Sequence, residues 1–127
     1  MKSYAQMCPL ALGLDRIGER WTLLIVREML IRRDLRFKDL QDGLPGIATN
    51  LLTSRLDDLL ELGLVERSFV GHSKSQPVYN LSKDGHELAP AILAIAKWGA
   101  KFIDRKNMNY EQREHWDEFS KKNKIVA

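Results

Sequence analysis

The stretch from Phe37 to Leu64, FKDLQDGLPGIATNLLTSRLDDLLELGL, restricts the fold of this chain more than any other. Gly43-Leu44-Pro45-Gly46 packs two glycines and a proline into four residues, a strong turn signal between two helical segments. The segment before the turn, Lys38–Asp42, is too short to be a stable helix alone and needs tertiary support. The longer helix is expected from about Thr49 to Leu62, with Ala48 or Thr49 at its cap and Gly63 as its stop. Leu52, Leu56 and Leu59 recur at the spacing that buries one side of a helix. Asn50, Thr53 and Ser54 fall on the other side, short uncharged groups that donate and accept hydrogen bonds. Such a helix is either an ordinary amphipathic surface helix or one that lies in a DNA major groove. The flanks decide between them.

Upstream, Cys8-Pro9 opens a first helix, with Pro9 in the first turn where its missing N–H is harmless. Leu10, Leu14 and Ile17 follow at helical spacing, and Gly18 ends the segment. A second helix, Trp21 to about Ile31, carries Trp21, Leu24, Ile25 and Leu30 inward, a density expected in the middle of a core. Leu35-Arg36-Phe37 reads as a brief extended strand. Its arginine and Lys38 belong either to a solvated turn or to a phosphate-contacting edge.

Downstream, the β formers of Leu64–Val70, a polar loop over Gly71–Gln76 and the strand Pro77–Leu81 make a hairpin. Set directly after a helix-turn-helix, a hairpin is a wing. Ser82 caps a further helix that carries Leu88, Ile92, Ile95, Trp98, Phe102 and Ile103, bent near its start by Pro90. That apolar stripe either pairs with another copy of the chain or folds back on its own core. Asn107 and Asn109 break the pattern, and Tyr110–Lys121 forms a last amphipathic helix around Trp116 and Phe119. The fold class is therefore mainly α with a small β-hairpin, in the element order of a winged helix-turn-helix.

At 127 residues the chain is expected to be one domain, 1–127. Residues 8–35 supply the N-terminal and core helices, 36–82 the helix-turn-helix and wing, and 83–127 the C-terminal helices. With 20 basic against 17 acidic residues, the placement of charge matters more than its sum. The single cysteine, Cys8, rules out an internal disulfide and a Cys-based zinc site. Neither a metal nor a cofactor is expected. The longest apolar run, Leu23–Val26, is far short of a membrane span, and no signal peptide is evident, so the protein is expected in the cytoplasm. For an enzyme, Cys8 would be the nucleophile with His72, His86 or His115 as base, but none sits in a recognisable motif, and no Gly-rich phosphate loop or paired metal ligands occur. No catalytic residue is assigned.

The chain resembles the HxlR family of bacterial winged-helix transcription regulators, relatives of the MarR type. The residues that carry the resemblance are Cys8-Pro9-Leu10, the run Ile17-Gly18-Glu19-Arg20-Trp21-Thr22-Leu23-Leu24-Ile25, Arg36-Phe37, Leu44-Pro45-Gly46-Ile47, Leu52 and Arg55-Leu56. They continue through Leu62-Gly63-Leu64-Val65-Glu66-Arg67, Tyr79-Asn80-Leu81-Ser82, Gly85 and Trp98-Gly99, so the match spans roughly residues 8–103. The resemblance implies a homodimer on an inverted-repeat operator, with a dimer interface built from the N- and C-terminal helices. That interface would include Leu10, Leu88, Ile92, Ile95, Trp98 and Phe102. Some members of the family sense oxidants or electrophiles through a cysteine placed like Cys8, which also stands at the positive end of a helix dipole. The other reading of Cys8 is a small packing residue at the dimer interface.

The chain departs from the family pattern at three places. Ala48 stands where Ser is usual, Asn50 where a basic residue is common, and Lys74-Ser75-Gln76 where Pro-Pro-Arg leads to the wing tyrosine. On double-stranded DNA, Thr49, Asn50, Thr53 and Ser54 would face the groove, and the Asn50 amide is suited to bidentate pairing with adenine. Arg36, Lys38 and Arg55 would meet phosphates, and His72 and Lys74 in the wing would reach the minor groove or the backbone. A winged-helix module that binds protein without an operator is the alternative, favoured by the few arginines on that surface.

Overall fold

Glu19 sets where the core begins. Its Oε2 accepts from the Trp21 amide at 2.9 Å and from the Thr22 hydroxyl at 3.3 Å, bracing the chain at the start of the helix that follows. In the computed structural model of the chain, residues 3, 5–69 and 76–122 are described, apart from the side chains of His115 and Phe119. The wing tip, with the candidate residues His72 and Lys74, lies outside the described residues. Two compact units are present, residues 1–87 and 88–127.

In the first unit, α1 (Pro9–Ile17) starts from Cys8 as its N-cap and ends at Gly18. The core helix α2 (Thr22–Ile31) buries Thr22, Ile25, Val26, Glu28, Met29 and Ile31. The short α3 (Phe37–Gly43) contributes the buried Leu40, and the Arg36 amide donates to Asp39 Oδ2 at its start. Gly46, at φ +90°, carries the chain round the turn in a conformation that L side chains rarely adopt. Next, α4 (Thr49–Glu61) buries Leu52, Leu56 and Leu59, the stripe expected from their spacing. Gly63, at φ +75°, follows it as a left-handed stop.

The wing pairs β1 (Val65–Ser68) antiparallel with β2 (Val78–Leu81), in the register Val65 with Leu81 and Ser68 with Val78. A single residue, Leu35, bridges the other edge of β2 through Tyr79. The strand expected over Leu35-Arg36-Phe37 is thus reduced to Leu35. Arg36 is drawn into the cap of α3 by Asp39, and Phe37 is already helical. Beside it, Asp34 adopts φ 55° and is held there by Asn80, whose amide accepts from the Asp34 N–H at 2.9 Å and donates to its carboxylate at 2.8 Å.

Ser82 caps α5 (Lys83–His86), accepting from the Gly85 amide at 3.1 Å and donating to the Gly63 carbonyl at 2.6 Å. The second unit opens with α6 (Ala89–Gly99) and a 3₁₀ turn, Ala100–Phe102. The one bent helix expected after Ser82 is therefore two helices. Pro90 has no N–H and its ring excludes the carbonyl four residues back, so the helix stops at His86 and a new one starts with Pro90 in its first turn. A further 3₁₀ turn, Arg105–Asn107, leads to α7 (Tyr110–Lys122). Asn109 and Gln112 cap α7 reciprocally, at 2.7 and 3.0 Å, and Arg105 pairs with Asp117 at 2.9 Å.

Candidate nucleic-acid interface

The N-terminal half of α4 is the candidate reading surface, and its electrostatics differ from end to end. Residues 49–54 are uncharged and stand at the positive end of the helix dipole, while Asp57, Asp58 and Glu61 crowd the other end. A phosphate backbone is attracted to the first half and repelled by the second. The helix would therefore enter a groove by its N-terminus, as recognition helices do.

Thr49, Asn50 and Thr53 are exposed, and Ser54 is half-buried. The Thr49 hydroxyl accepts from Gln41 Nε2 at 3.0 Å, a strut between α3 and α4, and keeps its own proton to donate. It does not cap α4: Ala48 is the N-cap and offers no side-chain oxygen. Thr53 Oγ1 donates to the Thr49 carbonyl at 3.0 Å, which leaves its lone pairs outward. Among the described residues the Asn50 amide has no hydrogen-bond partner, so both its donor and its acceptor are available.

The candidate phosphate contacts fall into three situations. Lys38 is exposed and unpaired among the described residues. Arg36 donates from Nη1 to Gln76 Oε1 at 2.7 Å, tying the start of α3 to the foot of the wing. Arg55 is turned toward the protein, its side chain 21% exposed. Its Nη2 donates to Ser54 Oγ at 3.0 Å, and Nη1 lies 4.0 Å from Glu19 Oε2. Its Nε comes within 3.2 Å of Asp58 Oδ2 out of hydrogen-bonding alignment, which makes that pair a charge contact.

Gln41, Gln76, Asn80 and Glu19 hold this surface together and are not evident from sequence. Their partners sit eight or more positions away, or across a turn, where no periodicity links them. Only Glu19 carries a local signal, as an acidic residue just ahead of a helix start.

Elsewhere, Cys8 is exposed as a free thiol at the N-cap of α1, beside a small open depression lined by Gln6, Leu10, Ala11 and Leu14. Leu10 is exposed on α1. In the second unit, Ile92 is buried and Leu88 half-buried, whereas Ile95, Trp98 and Phe102 are exposed. Trp98 and Phe102 meet edge-on with ring centroids 5.1 Å apart. No group of acidic, histidine or cysteine side chains that could hold a metal occurs among the described residues, and no helix among them is long and apolar enough to cross a membrane.

Comparison with known proteins gives the same fold and one family. The family model for the HxlR-like helix-turn-helix matches residues 16–107. The HTH-type transcriptional regulator YvaP of Bacillus subtilis (strain 168) is 32% identical over 101 residues, covering 79% of this chain and 93% of YvaP. The crystal structure of PA1607 superposes with a TM-score of 0.70 at 34% identity, covering 84% of this chain and 72% of that one. The redox regulator HypR in its oxidized form superposes with a TM-score of 0.64 at 31% identity, over 76% of this chain and 99% of HypR. A helix-turn-helix followed by a two-stranded wing, with this match across most of its length, places the chain in the HxlR-like helix-turn-helix family of transcriptional regulators.

Proposed function

We propose that this regulator works in the cytoplasm as a homodimer on an inverted-repeat operator in double-stranded DNA, each copy reading one half-site with the N-terminal half of α4. The observation that carries this reading is the Asn50 amide, unpartnered among the described residues, on an uncharged, outward helix start, with the acidic residues confined to the far end. Asn50 is assigned the base contact, with Thr49, Thr53 and Ser54 beside it. Lys38 and Arg36 meet the phosphates, Arg36 steered by Gln76, and His72 and Lys74 of the wing extend that contact. Arg55 reaches a phosphate only by leaving Asp58. Two copies would present their helices about 34 Å apart, one turn of DNA. The two units of the chain act together as one functional domain.

Selection of duplexes from a random library by the full-length protein tests this directly, because an inverted repeat should emerge. Binding to the selected duplex should weaken steeply with salt, and Arg36→Ala with Lys38→Ala should reduce the slope of log K against log salt by roughly 1.8. An unchanged slope would remove both residues from the phosphate contact. Retention of no DNA at any salt would favour the protein-binding module instead.

A second reading concerns Cys8 and is supported by its exposure and by the likeness to HypR. With no other cysteine in the chain, a disulfide between protein thiols would join Cys8 of two copies, the two thiols giving two electrons and two protons to hydrogen peroxide, which leaves as two waters. Peroxide treatment is expected to block thiol labelling and to change operator affinity, and Cys8→Ser is expected to abolish that response. Loss of labelling with unchanged affinity would leave Cys8 as a packing residue.

A further inference from the structure

Among the described residues Glu28 is the only charged side chain in the buried core, 1% exposed, and it lies where the helix-turn-helix bends. Arg27 donates to its Oε1 from Nε at 3.1 Å and from Nη2 at 2.8 Å, and Arg32 Nη2 stands 3.4 Å from Oε2. The same Nη2 of Arg27 donates to the Gly43 carbonyl at 3.3 Å. Gly43 is the last residue of α3, so this carbonyl is one of those that a helix end leaves without an internal partner. The contact on the other side is as close: a Cβ built at position 43 would collide with Glu28 Oε2. The turn backbone is thus gripped between a carboxylate and a guanidinium that are themselves joined.

Stability alone does not call for this arrangement. Buried ion pairs are often matched or bettered by apolar side chains of similar volume, because desolvating two charges is expensive. The pair instead fixes one distance, between α2 and the end of α3, at the pivot from which α4 departs. The reading residues occupy the first six positions of α4, which the Gln41–Thr49 bond ties to α3, so a shift of about 1 Å at the end of α3 would carry them with it. Displacements of that size take a hydrogen bond out of range.

We propose that Arg27 and Glu28 are positioning residues that hold α4 in its reading pose, and so set how sharply the protein separates its operator from other DNA. The proposal rests on the DNA-binding reading above. Its test uses the full-length protein, the duplex it selects from a random library, and a scrambled duplex of equal composition. Arg27→Met and Arg27→Lys are expected to lose about tenfold on the selected duplex, within the range of one base contact. Lysine keeps the charge, but its single nitrogen cannot reproduce the two-nitrogen contact with Glu28 Oε1 that also reaches the Gly43 carbonyl. Affinity for the scrambled duplex and the salt slope should stay near those of the unaltered protein, as should the thermal midpoint of Arg27→Lys, whereas Arg27→Met takes a partner from the buried Glu28 carboxylate and should melt lower. Glu28→Gln keeps an acceptor for Arg27 and should retain most of the affinity.

An Arg27→Lys protein that binds the selected duplex as tightly as the unaltered chain would overturn the clamp. So would parallel losses on both duplexes, with a reduced salt slope if Arg27 touches phosphate, or with a lowered midpoint if it only stabilises the fold. If Arg27→Met fails to fold, Arg27→Lys decides. An unaltered protein that selects no sequence would sink the DNA reading itself and the clamp with it.

Discussion

A Gly85→Ala protein is expected to be less stable by about 3 kcal/mol, at the upper end of the usual penalty for an added methyl in a filled site. The added Cβ would collide with the Leu64 carbonyl oxygen and meet Leu81 Cδ2 at 3.0 Å. The first of these is backbone, and it already accepts from the Ser82 amide at 3.0 Å, so it cannot swing aside as a flexible side chain would. Moving it disturbs the knot where the end of α4, the foot of the wing and α5 meet, which Ser82 closes through Gly63 and Gly85. For a unit of this size the thermal midpoint should drop by roughly 12–24 °C. Gly13→Ala is the matched control, because nothing stands within 4 Å of a Cβ there. In the interior of α1 that change should be neutral or should stabilise by up to about 1 kcal/mol. Thermal denaturation followed by circular dichroism compares the two, and equal midpoints would show that the Gly85 site has slack.

That knot also marks the boundary of what the sequence reveals. The cap at Ser82 is visible because a serine ahead of a helix has a local reason to be there, and the leucine stripe of α4 is visible because burial repeats with the helix period. The second bond of Ser82, to Gly63, spans 19 positions and leaves no periodic trace. Arg55 shows the same limit at the candidate site. It follows Leu52 by three positions and precedes Leu59 by four, so it borders the buried stripe, and spacing alone allows it to face either way. What faces it inside is Glu19, in the turn between α1 and α2, together with Asp58. The split after His86 could have been read, since the proline that forbids a continuous helix is in plain view at position 90. The clamp at Gly43 could not, because it depends on how closely two helices approach.

The largest functional loss is expected from Trp98→Glu combined with Phe102→Glu. These side chains are 61% and 70% exposed, and Ile95 beside them is 55% exposed, an apolar surface that a lone copy would leave to water. In a two-fold dimer each residue meets the same surface on its partner, so the substitution sets carboxylates near carboxylates and removes two aromatic rings at once. Since both positions are exposed, the fold should survive, and the circular dichroism spectrum and thermal midpoint should change little. Light scattering should then report a monomer. Affinity for the full inverted repeat should fall by about 100-fold or more, because the second half-site is no longer delivered at high effective concentration. Affinity for a single half-site should be unchanged, since α4 and the wing are untouched. This contrast separates the two roles proposed for the chain, reading DNA and pairing copies. If the double variant remained dimeric, the pairing surface would lie elsewhere. If it became monomeric yet held the full repeat as tightly as before, the operator would be read by one copy, and the two-fold geometry proposed for this regulator would have to be given up.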